Sequence, residues 1–206
     1  MGNALPKQFL DLAGKPVLYH TLKAFIDALP GANIILVLPI HQISYAQMVL
    51  QAFEERIDLT IVAGGETRYH SVQNGLAGLP EDSIIMVHDG VRPLVSRELI
   101  LRCHQDAVIH GSAIPALTAT DSMRLVQVNA SIPLNRDRVR IIQTPQTFKG
   151  SVLLPAFRQP FNESFTDEAS VVEAAGGTVF LTEGEKRNLK ITTPEDLVIA
   201  GALINH

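Results

Sequence analysis

Two kinds of apolar segment alternate along the first 119 residues, and this alternation limits the possible folds more than any other feature of the chain. Short continuous apolar runs predict strands that are buried on both faces, since such strands have no face in water. The segments between them place apolar residues three or four positions apart, which is the spacing of one helix face. The predicted strands are 33–39, 59–65, 83–89 and 112–119, and the predicted helices are 16–29, 43–55, 67–79 and 96–111.

This order of elements predicts an α/β fold of the Rossmann-like type, with a mostly parallel twisted sheet and helices on both of its faces. Alternation resumes near residue 150, with helices predicted at 150–158, 167–175 and 193–204 and a strand at 178–183. The 206 residues are enough for one sizeable core, and they contain no repeat and no low-complexity linker. We therefore expect a single domain that spans residues 1–206.

Residues 120–143 interrupt the alternation. Short stretches of alternating polar and apolar residues lie on either side of a turn near Asn129, and no helical spacing fits them. This pattern predicts a β-hairpin arm that protrudes from the main sheet. A hairpin of this size buries too little surface to be stable by itself, so the arm is expected to need a partner surface.

Composition and charge argue against several functional classes. The formal net charge is −4 and no block of lysine or arginine occurs, whereas a protein that binds nucleic acid normally carries a basic stripe. No apolar run approaches the roughly 20 residues that cross a bilayer and no signal peptide is evident, so a cytoplasmic location without membrane contact is expected. The single cysteine, Cys103, is predicted to be a small core residue, and the scattered histidines lack the spacing of zinc ligands.

Polar residues follow several of the predicted strands. They occur at 64–68, 88–93, 119–122 and 190. Ligands of open parallel sheets bind outside the carboxyl ends of the strands, so these residues are expected to lie together. Asp89 is suited there to a divalent cation or a substrate hydroxyl, Arg92 to a phosphate, and Gly90 to close approach of a ligand to the backbone. The alternative for Asp89 and Arg92 is a surface turn closed by their own ion pair.

Three further segments allow a functional and a structural interpretation. Lys7 follows a proline and suits a fixed charge that faces a phosphate, although its spacing alone favours a solvated loop lysine. The two glycines at 64–65 precede a polar turn that leads into a helix, a pattern typical of a turn that accepts a base, a ribose or an anion. Thr166 is either a ligand contact or, with Asp167, part of a helix cap.

Seven short motifs occur in one order: PKQF, GGETRYHSV, VHDGVRP, TDSM, TPQTF, TDEAS and NLKITTPEDL. With this ordered set the chain closely resembles the 2-C-methyl-D-erythritol 4-phosphate cytidylyltransferases, which are similar to the ribitol-5-phosphate cytidylyltransferases. The resemblance runs from residue 1 to about residue 200. It implies a nucleotidyltransferase-type fold and the transfer of CMP from CTP to the sugar-alcohol phosphate. Mg²⁺ is the implied cofactor, and the implied pathway is isoprenoid precursor biosynthesis.

The resemblance also implies roles for individual residues. Three basic residues are implied to stabilise the phosphates during the reaction, namely Lys7, Arg136 and Lys190. The family's turn for cytosine and ribose corresponds to Gly65, Glu66 and Ser71, although many members carry aspartate at the position of Glu66. Contacts to the polyol phosphate correspond to Asp89, Gly90, Arg92, Ser122, Thr144 and Thr166, with Asp89 also as the metal ligand and Ser122 in place of a threonine.

Two further expectations follow from the resemblance. The arm at 120–143 is implied to cross to the second subunit of a homodimer, so that Arg136 completes the neighbouring site. Members of the family begin with a strand and a glycine-rich nucleotide loop of the form AAGxGxRMG. Met1 and Gly2 correspond to the end of that loop, so the strand and most of the loop are expected to be absent from these 206 residues. We therefore predict a gap in the sheet beside the strand that ends at Asp89.

The implied reaction is an in-line attack of a phosphate oxygen on the α-phosphorus of CTP. The attacking group is already anionic, so positioning and charge neutralisation are expected to take the place of a strong general base. Two alternatives remain open from the residues alone. In the first alternative, the substrate is ribitol 5-phosphate in place of 2-C-methyl-D-erythritol 4-phosphate. In the second, the chain is a non-catalytic nucleotide-binding protein.

Overall fold

A computed structural model describes residues 5–204, and in it helices and strands alternate up to Thr118. The helices are α1 (Val17–Ala28), α2 (Ala46–Leu50), α3 (Arg68–Leu76), α4 (Arg97–His110), α5 (Gly150–Ala156), α6 (Glu168–Ala174) and α7 (Pro194–Ile204). The strands are β1 (Asp11–Leu12), β2 (Lys15–Pro16), β3 (Ile35–Leu38), β4 (Thr60–Ala63), β5 (Ile84–Val87), β6 (Ser112–Thr118), β7 (Met123–Gln127), β8 (Ala130–Leu134), β9 (Arg140–Ile142), β10 (Gln146–Lys149) and β11 (Leu181–Glu183). Short 3₁₀ helices cover Lys7–Phe9, Ile40–Tyr45 and Arg136–Arg138.

Most of these elements lie where the sequence predicts them. Helix α4 shows the signals that end a helix on both sides. Ser96 Oγ accepts a hydrogen bond from the backbone N–H of Leu99 at 3.0 Å, and Gly111 ends the helix with a φ of 89°. The helix predicted at 43–55 is shorter than expected, because a 3₁₀ helix occupies its start and α2 ends at Leu50.

The strands of the described residues form one five-stranded sheet and three two-stranded pairs, of which β3–β4 is parallel and β1–β2 and β7–β8 are antiparallel. The order in the larger sheet is β11, β6, β10 and β5, with β9 also paired to β6, while β3 pairs with β4. Strand β10 runs antiparallel to both β5 and β6, whereas β6 and β11 are parallel. The sequence does not predict β10, because its buried residues include the polar Gln146 and Thr147 and form no apolar run.

Alternate residues of β5 face two different layers of helices. Ile84 and Met86 pack with residues of α1 and α4, whereas Ile85 lies in the cluster that contains residues of α3, α5 and α6. Strand side chains point to opposite faces in turn, so this arrangement places helices on both sides of the sheet, as expected. The α4 layer is tightly buried, since Leu99 and Cys103 are each 0% exposed.

The strand pairing is interrupted between β3, in the parallel pair, and β5, at the edge of the five-stranded sheet. On one face, α1 packs against β3 through Leu22 and beside β5 through Phe25. On the other face, α3 approaches β3 at Gly75 and packs with β5 at Leu76. The strand pairing of residues 5–204 does not join β3 to β5, so each has an unpaired edge beneath the same two helices. The break lies beside the strand that leads to Asp89, where the sequence predicts a gap.

The arm is a hairpin, as the sequence predicts. Strands β7 and β8 pair antiparallel, and β9 then returns to the main sheet beside β6. Its tip residue Val128 is 98% exposed. The apolar side chains of the arm that remain exposed are Leu125, Val126, Val128, Ile132, Leu134, Ile141 and Ile142. The described part of the chain therefore leaves this apolar surface uncovered. The expectations for Met1 and Gly2 lie outside the described residues.

A substitution at Gly150, the first residue of α5, tests how closely the backbone packs where β10 leads into α5. A Cβ at Gly150 would lie 2.7 Å from the carbonyl oxygen of Pro80 and 2.9 Å from that of Glu81. We expect Gly150→Ala to lower the free energy of unfolding by about 2 kcal/mol, because both contacts are to backbone atoms that cannot rotate away. Urea denaturation measures this change.

Gly201→Ala is the matched control. The nearest atom to a Cβ at Gly201 in α7 would be Leu12 Cδ1 at 3.8 Å, which is an ordinary van der Waals contact. Alanine is favoured over glycine inside a helix by about 0.5–1 kcal/mol, so this variant should match or exceed the parent in stability. Equal stability of Gly150→Ala and the parent would contradict the packing described for α5.

Candidate active site

A carboxylate surrounded by cationic groups follows the end of β5. Asp89 Oδ2 lies 3.1 Å from Arg92 Nε and 3.2 Å from Lys190 Nζ, and Asp89 Oδ1 lies 3.9 Å from Arg68 Nη2. Arg92 Nη1 also donates to the Asn188 carbonyl at 2.8 Å, so this side chain is held from two sides. The partners come from three separate parts of the chain. The sheet edge therefore brings these segments together, as the sequence predicts.

The three cations keep Asp89 ionised. Burial alone would raise the pKa of this carboxyl group, but Lys190, Arg68 and Arg92 together hold its pKa below the ordinary value of 3.8. A lowered pKa means that ionised Asp89 stabilises the fold at neutral pH, and that this stabilisation is lost as pH falls through the folded-state pKa. The side chains of Lys190 and Arg68 are 43% and 39% exposed, so solvent screens their share of the attraction.

The surroundings of Asp89 do not fit the expected metal ligand. A divalent cation at this carboxylate would lie within a few ångströms of three positively charged side chains, which repel it. Mg²⁺ is usually held by carboxylates together with substrate phosphates. In the described part of the chain, no group of three or more His, Cys, Asp or Glu residues is placed to hold a metal ion. The geometry favours Asp89 as the anchor of the cations over Asp89 as a magnesium ligand.

Two buried amide side chains fix the loop that leads to Lys190. Asn188 Nδ2 donates to the Thr144 carbonyl at 2.8 Å. The Gln143 amide bonds both backbone groups of Glu185, donating to its carbonyl at 2.8 Å and accepting from its N–H at 3.0 Å. The loop is therefore tied to the last residue of the arm and to the residue after it. Gln143 and Asn188 are not among the predicted site residues, because their hydrogen-bond partners lie more than 40 residues away in the sequence.

Thr144 and Gly90 support the turn that carries Asp89. The Asp89 backbone N–H donates to Thr144 Oγ1 at 3.1 Å, and the same hydroxyl lies 3.0 Å from His88 Nδ1. The Gly90 carbonyl accepts from the Thr21 hydroxyl of α1 at 3.2 Å. Both predicted residues therefore lie at the Asp89 turn. Their contacts with substrate stay predictions.

The predicted nucleotide turn is closed by Ser71. Its Oγ accepts from the Gly65 N–H at 3.1 Å and donates to the Thr67 carbonyl at 2.9 Å. A Cβ at Gly65 would collide with the His70 side chain, so packing requires glycine there. The side chain of Glu66 is exposed. The structure thus brings Gly65, Glu66 and Ser71 into one turn, and their contacts with cytosine or ribose stay predictions.

Arg68 links this turn to Glu168, the first residue of α6. Its guanidinium makes a bidentate pair with Glu168 at 2.6 and 2.9 Å, and Glu168 is 0% exposed. Burial raises the pKa of the Glu168 carboxyl, and Arg68 opposes that rise. Thr166 is exposed, and its N–H donates to Ser170 Oγ beside the α6 cap. Arg68 and Glu168 are not among the site residues predicted from the sequence, because they lie 100 positions apart and no local pattern pairs them.

Three predicted site residues are not joined to this cluster. Within residues 5–204, no hydrogen bond or ion pair connects Lys7 to Asp89 or its partners. Arg136 is exposed on the arm and donates to the Thr120 carbonyl at 2.8 Å. Ser122 is exposed at the base of the arm. Their roles at the phosphates stay predictions.

Cys103 confirms one narrower expectation from the sequence. Cys103 is buried, and burial raises the pKa of its thiol to about 12, so it is the inert core residue that was expected. Among the residues that the structure describes, no helix is both long enough and apolar enough to cross a membrane.

The whole chain matches one known family. A family model described as 2-C-methyl-D-erythritol 4-phosphate cytidylyltransferase matches residues 1–206. Proteins of that name from Bacteroides fragilis and Clostridium botulinum are 45% and 40% identical to this chain. These matches cover 99% and 100% of this chain and 93% of each relative.

Solved structures of the same kind share the fold. The protein of that name from Thermus thermophilus superposes with a TM-score of 0.78 at 35% identity, over 98% of this chain and 95% of its own. The 4-diphosphocytidyl-2C-methyl-D-erythritol synthase of Anaerococcus prevotii superposes with a TM-score of 0.84 at 28% identity, over 100% and 92%. The expected nucleotidyltransferase-type α/β fold is confirmed, and the chain belongs to the 2-C-methyl-D-erythritol 4-phosphate cytidylyltransferase family.

Proposed function

We propose that this protein transfers CMP from CTP to 2-C-methyl-D-erythritol 4-phosphate, giving 4-diphosphocytidyl-2-C-methyl-D-erythritol and pyrophosphate in isoprenoid precursor biosynthesis. The observation that carries the proposal is the convergence of Lys190, Arg68 and Arg92 on Asp89. Relatives named for this activity match nearly the whole chain. We also propose a cytoplasmic location.

The charge of this cluster suits two anionic substrates. Three cations against the carboxylates of Asp89 and Glu168 leave the sheet edge positive. Lys190 and Arg68 keep more than a third of their side chains exposed, so both can meet a ligand while their acidic partners hold them in place. Cations fixed before the substrate arrives stabilise developing charge without reorganising during the reaction.

The proposed chemistry requires positioning more than proton transfer. The attacking phosphate oxygen is already anionic, so no strong general base is needed. Lys190 neutralises charge on the phosphates, Arg92 holds the polyol phosphate, and Asp89 keeps both cations aligned. Lys7 and Arg136 supply the remaining phosphate contacts. Mg²⁺ is supplied with CTP in the assays below, and no residue of this chain is proposed as its ligand.

We also propose that one additional strand pairs with both β3 and β5, and that a glycine-rich loop after it covers the phosphates of CTP. The unpaired edges of β3 and β5 beneath α1 and α3 support this, because buried backbone groups without hydrogen bonds are costly. The match to the Bacteroides fragilis protein, which covers 93% of that protein, leaves length for such a segment.

The arm supports a homodimer with shared sites. Its side chains Val126 and Val128 are 80% and 98% exposed, and an apolar surface of this kind needs a partner. Arg136 lies on the same arm, and within residues 5–204 no hydrogen bond or ion pair connects it to Asp89 of its own chain. We infer that Arg136 reaches the site of the second subunit.

Pyrophosphate release tests the proposed function. We assay the 206-residue protein and a second form that carries an added N-terminal strand and glycine-rich loop. Pyrophosphate should be released from CTP only with 2-C-methyl-D-erythritol 4-phosphate and Mg²⁺. UTP in place of CTP should lower kcat/KM at least about 100-fold, because a site that hydrogen-bonds one base leaves groups unpaired with another. Equal rates with ribitol 5-phosphate, or no release from either protein form, would contradict the proposal.

Asp89→Asn tests whether the Asp89 carboxylate holds the surrounding cations in place. Loss of the carboxylate leaves Arg92 buried without its acidic partner, so the free energy of unfolding should fall by about 2–3 kcal/mol. The cations should also shift, lowering kcat about 100-fold. Asp82→Asn, at an exposed aspartate before β5, is the control and should change neither value. Wild-type kinetics in Asp89→Asn would refute the anchoring role.

Subunit mixing tests the shared site. Lys190→Ala and Arg136→Ala proteins should each be nearly inactive. In a mixed dimer, one site contains both defects and the other contains neither. Mixing after reversible dissociation should restore up to about a quarter of the wild-type activity under random pairing. No recovery, with heterodimers verified by native mass spectrometry, would place Arg136 in the site of its own subunit.

A further inference from the structure

The proposed reaction assigns no step to Arg68, although its side chain contacts two parts of the site. Arg68 Nη1 and Nη2 donate to the two carboxylate oxygens of Glu168 at 2.6 and 2.9 Å, and Glu168 is 0% exposed. Arg68 Nη2 also lies 3.9 Å from Asp89 Oδ1. That distance is too long for a hydrogen bond. Arg68 is therefore fixed by Glu168 and attracted by Asp89 without being held by it.

The guanidinium of Arg68 has donors to spare. A guanidinium carries five N–H donors in one plane. The pair with Glu168 uses two of them, and within residues 5–204 no other hydrogen bond of this side chain is present. Its side chain is 39% exposed, so a ligand can reach it. One end of the guanidinium is thus held by a buried carboxylate, and the rest is available to an anion.

The position of Arg68 is unfavourable for a cation. Arg68 is the first residue of α3, and the partial positive charge at the N-terminal end of a helix repels cations. Its partner Glu168 is fully buried, which costs free energy unless the charge is paired. Apolar replacement of a buried ion pair is often neutral for stability. Stability alone therefore does not account for this pair, whereas an anionic ligand does.

Arg68 lies between the two parts of the site that the proposed reaction needs. It directly follows the turn at 64–67, which the resemblance implies for cytosine and ribose. It also faces Asp89 Oδ1, whereas Oδ2 is contacted by Arg92 and Lys190. In a transfer of CMP, the α-phosphate joins the nucleoside to the attacking phosphate, so it must lie between their binding positions. Arg68 is therefore placed beside the reacting phosphate.

We propose that Arg68 is a further catalytic residue that donates to an oxygen of the α-phosphate of CTP, and that Glu168 is the positioning residue that holds Arg68 there. In this step, an oxygen of the polyol phosphate forms a bond to the α-phosphorus. The bond from that phosphorus to the oxygen of the β-phosphate breaks, and pyrophosphate leaves with the electron pair. Arg68 gives up no proton and stabilises the charge on the α-phosphate oxygens. This inference rests on the proposed function, because it assigns part of the same site.

Replacement of both partners separates catalysis from folding. Arg68→Met with Glu168→Leu removes both charges and keeps apolar volume in their place, so the fold should survive. In the pyrophosphate assay, kcat/KM for CTP should fall about 100-fold, since loss of one donor to developing charge has an effect of that size. KM for the polyol phosphate should change less than about threefold, because Arg92 and Lys190 remain. A kcat/KM within about threefold of the parent would overturn the proposal.

A surface ion pair of the same chain is the matched control. Arg158 Nη2 lies 3.2 Å from Glu81 Oε1, and the two side chains are 72% and 59% exposed. Exposed pairs contribute little to stability, and this one contacts no part of the site. Arg158→Met with Glu81→Leu should therefore keep both kinetic constants within about twofold of the parent.

Arg68→Lys is a second variant that does not depend on the fold of the double replacement. Lysine keeps a positive charge beside Glu168 but lacks the planar fork that serves two partners at once. We expect kcat/KM for CTP to fall about tenfold, with KM for the polyol phosphate unchanged. Parent kinetics in Arg68→Lys would count against a catalytic contact from the guanidinium.

Glu168→Gln tests the positioning role. Glutamine keeps the size of the side chain and one carbonyl oxygen, but it loses the charge and the second acceptor. With Arg68 present but less firmly held, kcat/KM for CTP should fall about tenfold. Gly150→Ala, which is also expected to be less stable than the parent, should keep the parent kcat/KM. An unchanged kcat/KM in Glu168→Gln would overturn the positioning role.

Binding of CMP and of cytidine tests the contact without turnover. CMP carries the α-phosphate and no other, so the ratio of the two affinities, from isothermal titration calorimetry, measures contacts to that group. Arg68→Met with Glu168→Leu should lower this ratio about tenfold and leave the affinity for cytidine unchanged. An unchanged ratio would overturn the proposal. A parent protein without pyrophosphate release would refute the proposed function, and the ratio would still decide whether Arg68 contacts the α-phosphate.

Discussion

The attraction between the Asp89 carboxylate and its cations is the interaction on which the rest of the site depends. Arg92 comes from the same turn, whereas Lys190 and Arg68 come from a distant loop and from the start of α3. Without the carboxylate, these like charges would repel one another across a partly buried edge. The negative charge that holds them is thus what makes a positive site for phosphates possible.

The fold supplies the frame for this cluster. Strand β5 ends at Val87 beneath α1 on one face and α3 on the other, so the Asp89 turn leaves the sheet at a fixed place. Buried amides then fix the approaching loop, through Gln143 and Asn188. A buried polar network of this kind is stable only when its members are hydrogen-bonded, and it then fixes one geometry.

The sequence predicts what depends on neighbouring residues and misses what depends on distant ones. The helix face of α4, the buried strand β5 and the turn at Gly65 follow from local spacing and are present. The Arg68–Glu168 pair joins residues 100 positions apart, and no local pattern contains that information. Strand β10 is missed for a related reason, because its polar Gln146 is buried by hydrogen bonds to α6 that its own sequence does not reveal.

Asp89 shows the same limit at the level of chemistry. Its position at a strand end predicts an acid in the site, and the structure places it there. Its assignment as a metal ligand is not supported, because that assignment depends on how many cations other segments bring to it. A residue type and its local context therefore predict where a functional group lies. They predict less well which residues will be its partners.

The pKa of Asp89 tests the anchoring role most directly. Carboxyl ¹³C NMR of aspartate-labelled protein, followed as a function of pH, gives the midpoint for this residue when assigned with Asp89→Asn. We predict a midpoint below the ordinary value of 3.8, and a higher midpoint in Lys190→Met, since removal of one cation weakens the stabilisation of the ionised form. A midpoint at or above 3.8 in the parent, unchanged in Lys190→Met, would show that burial outweighs the cations and that Asp89 does not anchor them.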